Sequence, residues 1–187
     1  MRLRNIVITG DPVLHNRAQP VSEINDYIRD LVEDMYLTMD KAPGVGLAAP
    51  QIGIPLSIFV FDWEDESGSY RDVAINPKLE IFDLEDSEPD PDSESEGCLS
   101  VPGERYPLKR AQRAKLTALD ITGNEYTIEA QGWLARIFQH EHDHLQGTLY
   151  VDRLLPKFQK QANKAIKQSG WGGAGNSWKP GEDFLEP

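Results

Sequence analysis

Apolar residues recur every three or four positions in three segments of the chain, the spacing of one buried helix face. The first segment begins after Ser22 or Asn25, either of which is a suitable N-cap, and ends at Pro43-Gly44. The second ends at Gly147, a suitable residue just beyond a helix. The third runs from Phe158 to Gln168. Their apolar residues are, in order, Ile24, Ile28, Leu31, Val32, Met35 and Met39; Trp133, Leu134, Ile137, Phe138 and Leu145; Ala162, Ala165 and Ile166.

Short runs rich in β-branched and aromatic residues lie between these helices and predict strands. The predicted strands are residues 57–61, 73–77, 79–82, 116–120, 125–129 and 150–154. The polar residues 62–70 and Thr122-Gly123-Asn124 are typical of hairpin connections. Strands joined by hairpins and bracketed by helices predict an α+β fold. In it, short antiparallel strands pack around the second, central helix, with one N-terminal and one C-terminal helix.

The length of 187 residues fits one domain that is large enough to bury a core around a site. We expect a single domain over residues 1–169. The following residues, 170–187, are rich in Gly, Trp and Pro and predict an extended tail.

Composition narrows the class of protein. A hydrophobic content of 39% and a charged content of 27% are typical of a soluble globular protein. No run approaches the roughly 18 apolar residues of a membrane span, and the N-terminus is a poor signal peptide, so we expect no membrane partner and a cytoplasmic location. Cys98 is the only cysteine, which excludes a disulfide within the chain and suits a reducing compartment.

Charge is unevenly distributed. The net charge of −12 argues against DNA or other nucleic acid binding across the whole surface. Residues 83–96 contain eight acids and no basic residue, which predicts a solvated acidic loop. From Arg153 to Lys179 there are six basic residues and no acid. The basic helix at 153–167 is therefore either a solvated face or a contact for a polyanion.

The pattern His-Glu-x-x-His at residues 140–144 is the strongest chemical signal in the chain. On a helix, His140 and His144 share one face and can hold one metal ion, while Glu141 lies close enough to handle the proton of an activated water. His142, two residues after His140, points away from that face and is not expected to be a ligand.

A tetrahedral catalytic metal site needs a third protein ligand. No histidine follows His144, and Tyr150 stands where the elongated pattern of related peptidases has its last histidine. Upstream, Cys98 offers a thiolate, which together with two imidazoles is a chemically sound ligand set. Cys98 as a nucleophile paired with a histidine stays open as an alternative.

Three segments, in this order, resemble those of the peptide deformylases. They are Gly44-Val45-Gly46-Leu47-Ala48-Ala49-Pro50-Gln51, Glu96-Gly97-Cys98-Leu99-Ser100 and His140-Glu141-His142-Asp143-His144. Asp11-Pro12-Val13-Leu14, Ile75-Asn76-Pro77 and Gln139 also fit. The resemblance covers roughly residues 3–168 and, with three motifs in order, is highly specific.

The resemblance implies removal of the N-terminal formyl group from newly made polypeptides that begin with formylmethionine. It implies Cys98, His140 and His144 as metal ligands and Glu141 as the general acid/base. It also implies that Gln51 and the backbone N–H of Leu99 stabilise the oxyanion.

The resemblance further implies a substrate cleft. Trp133 and Ile137 would help to form the methionine pocket, although taken alone they are core helix residues. Arg105 falls at a substrate-contacting position, although an exposed arginine is more often solvated. The backbone of Gly44, Val45 and Gly46 would pair with an extended peptide, and Gly97 would allow close backbone approach; alone, Gly44 and Gly46 are also typical turn glycines.

Three matters stay open from the residues. Ligand type alone favours Zn²⁺, whereas the resemblance implies Fe²⁺, with Zn²⁺ or another divalent ion able to occupy the site. Asp143 is either a partner of a ligand imidazole or a solvated helix acid. Glu96 is either such a partner or the last acid of the 83–96 loop.

Two other functions compete with deformylation. A metallopeptidase that cleaves internal peptide bonds is disfavoured by the missing downstream ligand. A non-catalytic metal-binding or peptide-binding module would not need Glu141 or Gln51. For a deformylase, the formylmethionyl nascent peptide is the expected substrate, and the ribosome is a candidate partner of the basic helix 153–167.

Overall fold

The computed structural model describes residues 1–183 and 185 of the chain. Within them it has three α-helices: α1 (Asp26–Lys41), α2 (Gly132–Leu145) and α3 (Pro156–Gln168). The strands are β1 (Ile6–Val7), β2 (Gly46–Ala48), β3 (Ile58–Asp65), β4 (Gly68–Phe82), β5 (Ser95–Cys98), β6 (Val101–Pro107), β7 (Arg113–Leu119), β8 (Glu125–Gln131) and β9 (Ser177–Trp178). No described helix is long and apolar enough to cross a membrane.

The strands form one main sheet and two small ones, and all strand pairs within them are antiparallel. The main sheet has five strands in the order β2-β3-β4-β7-β8, while β5 pairs with β6 and β1 pairs with β9. Helix α2 packs against all five strands of the main sheet. The α+β fold with a central helix is therefore confirmed.

The helix that carries the histidines lies in an aromatic core. Phe59 and Phe61 of β3 pack with Phe138 of α2, with ring centroids 6.3 and 5.0 Å from the Phe138 ring. The helix ends as predicted, since Gly147 adopts a φ of 76°, a left-handed conformation that glycine accepts without a Cβ penalty. This packing fixes α2 at the centre of the molecule.

Helix α1 begins as the cap residues predict. The side chain of Asn25 accepts a hydrogen bond from the backbone N–H of Ile28 at 3.2 Å. The predicted methionines, Met35 and Met39, are fully buried.

Two predicted strands are in fact one. β4 runs from Gly68 to Phe82, whereas the sequence predicted a break after Pro77 and a loop over residues 62–70. A bulge between Ile75 and Lys78 accommodates the proline, and the Asn76 side chain bonds both backbone groups of Val21 at 2.8 Å. β3 and β4 extend through most of the polar segment, so only residues 66–67 form the turn.

The C-terminal third differs from the prediction in two places. Tyr150–Arg153 forms a short 3₁₀ helix and not a strand, because the Asp152 N–H donates to the Leu149 carbonyl at 3.0 Å and the Asp152 carboxylate accepts from the Leu149 N–H at 2.8 Å. Helix α3 begins at Pro156, a residue suited to the first helical position. Arg153 therefore precedes the basic helix, and its guanidinium pairs with Asp143 at 2.7 Å.

The tail beyond residue 169 packs on the body of the protein. Its strand β9 pairs with β1, and Trp178 is 1% exposed in the core. The last residues of the predicted tail, Phe184, Glu186 and Pro187, lie outside the described part of the chain.

Candidate active site

Three potential metal ligands converge beneath the main sheet. Cys98 lies at the end of β5, and His140 and His144 lie one turn apart on α2. One ligand atom from each residue lies within 4.8 Å of the others; Cys98 and His144 are buried, and the His140 side chain is 12% exposed. The Cys98 Sγ and His144 Nε2 atoms are 3.4 Å apart. His142 does not belong to this group, as its position on the helix predicts.

The electrostatics of this pocket favour a bound cation. Burial, and then the charge of His140, lower the pKa of His144 well below its usual range, which keeps its imidazole neutral as a metal ligand requires. Burial alone would lower the pKa of His140 as well, but Cys98 and Glu96 together raise it well above its usual range. One thiol, which a bound metal would ionise, and two imidazoles form a donor set that fits a divalent metal ion.

Glu96 and two arginines hold one of these histidines. Glu96 Oε1 lies 3.0 Å from His140 Nδ1, on the opposite side of the ring from a ligating Nε2. Arg110 and Arg136 bind the same carboxylate at 2.7 and 2.9 Å. Burial alone would raise the pKa of Glu96, yet Arg110 and His140 hold it well below its usual range. Glu96 is thus an ionised partner of an imidazole, and not a solvated acid of the 83–96 loop.

Asp143 belongs to the same charged network but does not contact an imidazole through a described side-chain hydrogen bond. Its carboxylate pairs with Arg110 at 2.6 Å and with Arg153 at 2.7 Å. Both alternatives considered for Asp143 are therefore wrong: it is buried, and it orients Arg110.

Glu141 is buried against the backbone of β2. A Cβ added to Gly46 would lie 2.4 Å from Glu141 Oε1, so only glycine leaves room for the carboxylate. Among the described residues, Glu141 Oε2 has no hydrogen-bond partner. Burial, the largest cause, raises the pKa of Glu141 to about 7. A carboxyl group with such a pKa can both accept and return a proton near neutral pH.

The side-chain N–H₂ of Gln51 points toward the potential metal ligand Cys98. The backbone N–H of Ala48 donates to Gln51 Oε1 at 2.8 Å, which fixes the orientation of the amide. Gln51 Nε2 is then 3.7 Å from Cys98 Sγ and 3.4 Å from Ser100 Oγ. A buried N–H donor therefore lies beside the Cys98 sulfur, in a residue that also lines a neighbouring cavity.

A cavity of about 370 Å³ opens onto this group. Of the predicted site residues, all but the deeper His144 line it: Gly44, Val45, Gly46, Gln51, Gly97, Cys98, Leu99, Arg105, Trp133, Ile137, His140 and Glu141. The sequence analysis missed Pro43, Trp63 and Arg136 as lining residues. Trp63 comes from β3 and lies beside Trp133 of α2, with 6.4 Å between the ring centroids, a contact between distant segments that the sequence does not reveal.

Convergent thiolate and imidazole donors, with a carboxylate and an amide beside them in a cavity, define a metal-dependent hydrolase. Comparison with known proteins identifies which one. A sequence model described as "Polypeptide deformylase" matches residues 3–160. The peptide deformylase of Mycobacterium sp. (strain JLS) is 48% identical, with 95% of this chain and 94% of the relative covered.

Solved structures agree. The peptide deformylase of Ehrlichia chaffeensis, in complex with actinonin, has a TM-score of 0.80 and 37% identity, covering 90% of this chain and 98% of that chain. That of Thermus thermophilus has a TM-score of 0.77 and 36% identity, covering 89% and 94%. The chain belongs to the polypeptide deformylase family, enzymes that remove the N-formyl group from nascent peptides.

Proposed function

We propose that the chain removes the formyl group from formylmethionyl nascent peptides at the site built by Cys98, His140 and His144. These three residues would hold one Fe²⁺ ion, with Glu141 as the general acid/base. The observation that carries the proposal is the convergence of the donor set and the Glu141 carboxylate at one cavity. When bound, the metal would supply Lewis acidity and lower the pKa of water.

Glu141 moves the proton in this proposal. Its buried carboxylate would accept a proton from the attacking water and pass it to the amine nitrogen as the bond to the formyl carbon breaks. The fit between Gly46 and Glu141 supports this role, because it fixes the carboxylate without another hydrogen-bonding group on Oε2.

Gln51 and the backbone N–H of Leu99 would donate to the oxygen of the formyl group as negative charge develops there. The Ala48 bond supports this role for Gln51, because it leaves only the N–H₂ end of the amide facing the site. Preorganised donors of this kind need no reorganisation when the charge forms.

The cavity walls suit a short extended peptide. The backbone of residues 44–46 would pair with it along the edge strand β2, which has one neighbour, β3, in the main sheet of the described residues. Ile137 and Trp133 would contact the methionine side chain, and Gly97 would allow the peptide to approach. Arg105 donates to the Ser95 carbonyl at 3.0 Å and is one of the residues that line the cavity.

We infer Fe²⁺ as the physiological ion from the family, since a Cys-His-His donor set alone favours Zn²⁺. The test is anaerobic purification followed by elemental analysis and reconstitution. We expect higher formate release with iron than with zinc; higher activity with zinc would overturn this choice.

One assay tests the activity itself. The metal-loaded protein is incubated with formyl-Met-Ala and, separately, with a longer unformylated peptide. We expect formate from the first and no chain cleavage of the second. Cleavage within the longer peptide would support a peptidase instead, and binding without either product would support a non-catalytic module.

We also propose that α3 contacts the ribosome and that the protein acts in the cytoplasm, where nascent chains are made. The supporting feature is a single stripe of exposed lysines at helical spacing: Lys157, Lys160, Lys164 and Lys167. Of these, Lys157 pairs with Glu88 at 3.1 Å, an exposed contact of little energy.

Neutralising Lys157, Lys160 and Lys164 to glutamine should weaken co-sedimentation with ribosomes, with a smaller dependence on salt than the unmodified protein shows. A control variant with Lys41, Lys78 and Lys115 changed to glutamine loses the same charge elsewhere. Equal ribosome binding by the two variants would contradict the proposed contact between α3 and the ribosome.

A further inference from the structure

The tail docks on the N-terminal arm through backbone contacts. Beyond the strand pair β1-β9, the Ile8 N–H donates to the Asn176 carbonyl at 2.9 Å, and the Gly172 N–H donates to the Thr9 carbonyl at 3.1 Å. A Cβ on Gly10, which has a φ of 101°, would lie 2.1 Å from the backbone of Gly172. The tail, which lies beyond the residues matched by the family model, is therefore seated closely enough to exclude a side chain.

This docking buries Trp178 beneath the Cys98 segment. Trp178 is 1% exposed and belongs to the same apolar cluster as the Leu99 side chain. Its indole Nε1–H donates to the Leu99 carbonyl oxygen at 2.8 Å. A tail residue thus binds the backbone directly after a proposed metal ligand.

That hydrogen bond orients one peptide group. The Leu99 carbonyl and the Ser100 N–H belong to the same planar trans peptide, so they point in opposite directions and turn together. While Trp178 holds the oxygen, the Ser100 N–H donates to Cys98 Sγ at 3.4 Å. From the other side, the Thr9 N–H donates to the Ser100 carbonyl at 2.8 Å.

We propose that Trp178 is a positioning residue of the active site: its indole N–H sets the Leu99–Ser100 peptide so that the Ser100 N–H donates to the Cys98 sulfur. The proposal rests on the proposed function of Cys98 as a metal ligand. An N–H donor draws charge from a thiolate and so tunes the metal that the thiolate binds. Because Trp178 does not line the cavity, it acts through this peptide and not on the substrate.

The test replaces Trp178 with phenylalanine, which keeps an aromatic ring but removes the N–H donor. The matched control is Trp171→Phe, in the same tail and half-buried against the same apolar cluster. Each protein is loaded with Co²⁺, which serves as a spectroscopic probe of the thiolate. Affinity for Co²⁺, the energy of the thiolate-to-cobalt charge-transfer band, and kcat and KM for formyl-Met-Ala are compared.

For Trp178→Phe we expect the charge-transfer band to shift to lower energy, since the thiolate loses an N–H donor. Affinity for Co²⁺ and kcat should each fall by about tenfold while KM stays unchanged. Trp171→Phe should match the unmodified protein. A folded Trp178→Phe with unchanged band energy and Co²⁺ affinity would overturn the proposal, whatever its activity.

If Trp178→Phe does not fold, benzothienylalanine at position 178 supplies a bicyclic ring of the same shape in which sulfur replaces the N–H. The same band shift and loss of affinity are expected, and their absence would overturn the proposal. If the unmodified protein binds Co²⁺ but releases no formate, the proposed function fails, and the cobalt measurements still decide the role of Trp178.

Discussion

Replacing Gly46 with alanine should disable Glu141 without unfolding the protein. The added Cβ would lie 2.4 Å from Glu141 Oε1 and 2.8 Å from its Cγ and Cδ atoms. Gly46 is not among the glycines with positive φ, so alanine fits the backbone there. The three atoms nearest to the added Cβ all belong to Glu141, so the steric clash falls on that side chain.

The expected loss of rate in Gly46→Ala follows from how far the Glu141 carboxylate must move. Ordinary van der Waals contact begins at 3.4 Å, so the Glu141 oxygen must move by about 1 Å. A misplacement of about 1 Å at a reacting group costs roughly 100-fold in rate. The stability cost is smaller, since a shifted side-chain rotamer costs about 1 kcal/mol.

The assay is formate release from formyl-Met-Ala by Gly46→Ala, alongside thermal unfolding and bound metal per chain. We expect kcat to fall about 100-fold, while the metal content is retained. Gly173→Ala is the matched control, because a Cβ there meets nothing within 4 Å and the backbone is not left-handed. It should leave kcat unchanged.

Two results would refute the reasoning. Full activity in folded Gly46→Ala would mean that Glu141 does not need its observed position. Independent effects of Gly46→Ala and Glu141→Ala on the free energy of unfolding would also refute it: alanine at position 141 has no Cγ or carboxylate to meet the added Cβ, so the two changes should be strongly non-additive.

Two further changes separate binding from turnover. Gln51→Ala should retain the metal and lose about 100- to 1000-fold in kcat, as for the loss of one oxyanion donor, and an active variant would remove that role. Glu96→Gln should weaken metal binding by about 10- to 100-fold and destabilise the protein by about 3 kcal/mol, because Arg110 loses a buried partner. Isothermal titration measures the metal affinity, and denaturant unfolding measures the free energy of unfolding. The control Glu88→Gln, at an exposed position, should change neither quantity.

The sequence was most informative where chemistry depends on local spacing. Residues i and i+4 of a helix share a face whatever the fold, so the sequence alone pairs His140 with His144 and excludes His142 as a ligand. The search for a third ligand added Cys98, and the family motifs added Gln51. The structure brings Cys98, His140 and His144 together, with Gln51 Nε2 3.7 Å from the Cys98 sulfur.

The features that the sequence could not reveal depend on contacts between distant segments. Trp178 and Leu99 are 79 residues apart, and nothing local links an indole in a Gly-rich tail to a peptide group beside Cys98. In the sequence, Glu96 resembles the acids that precede it. In the structure it differs from them, because its buried carboxylate pairs with Arg110 and Arg136. Tertiary contacts decide such cases, because charge alone does not distinguish a solvated acid from a paired one.

The most direct test of the central claim is formate release by Glu141→Ala loaded with metal. The account predicts that this variant binds one metal ion per chain and stays folded, because Cys98, His140 and His144 remain, but releases no formate from formyl-Met-Ala above the rate of buffer. Formate release at the rate of the unmodified protein, with the same metal content, would contradict it.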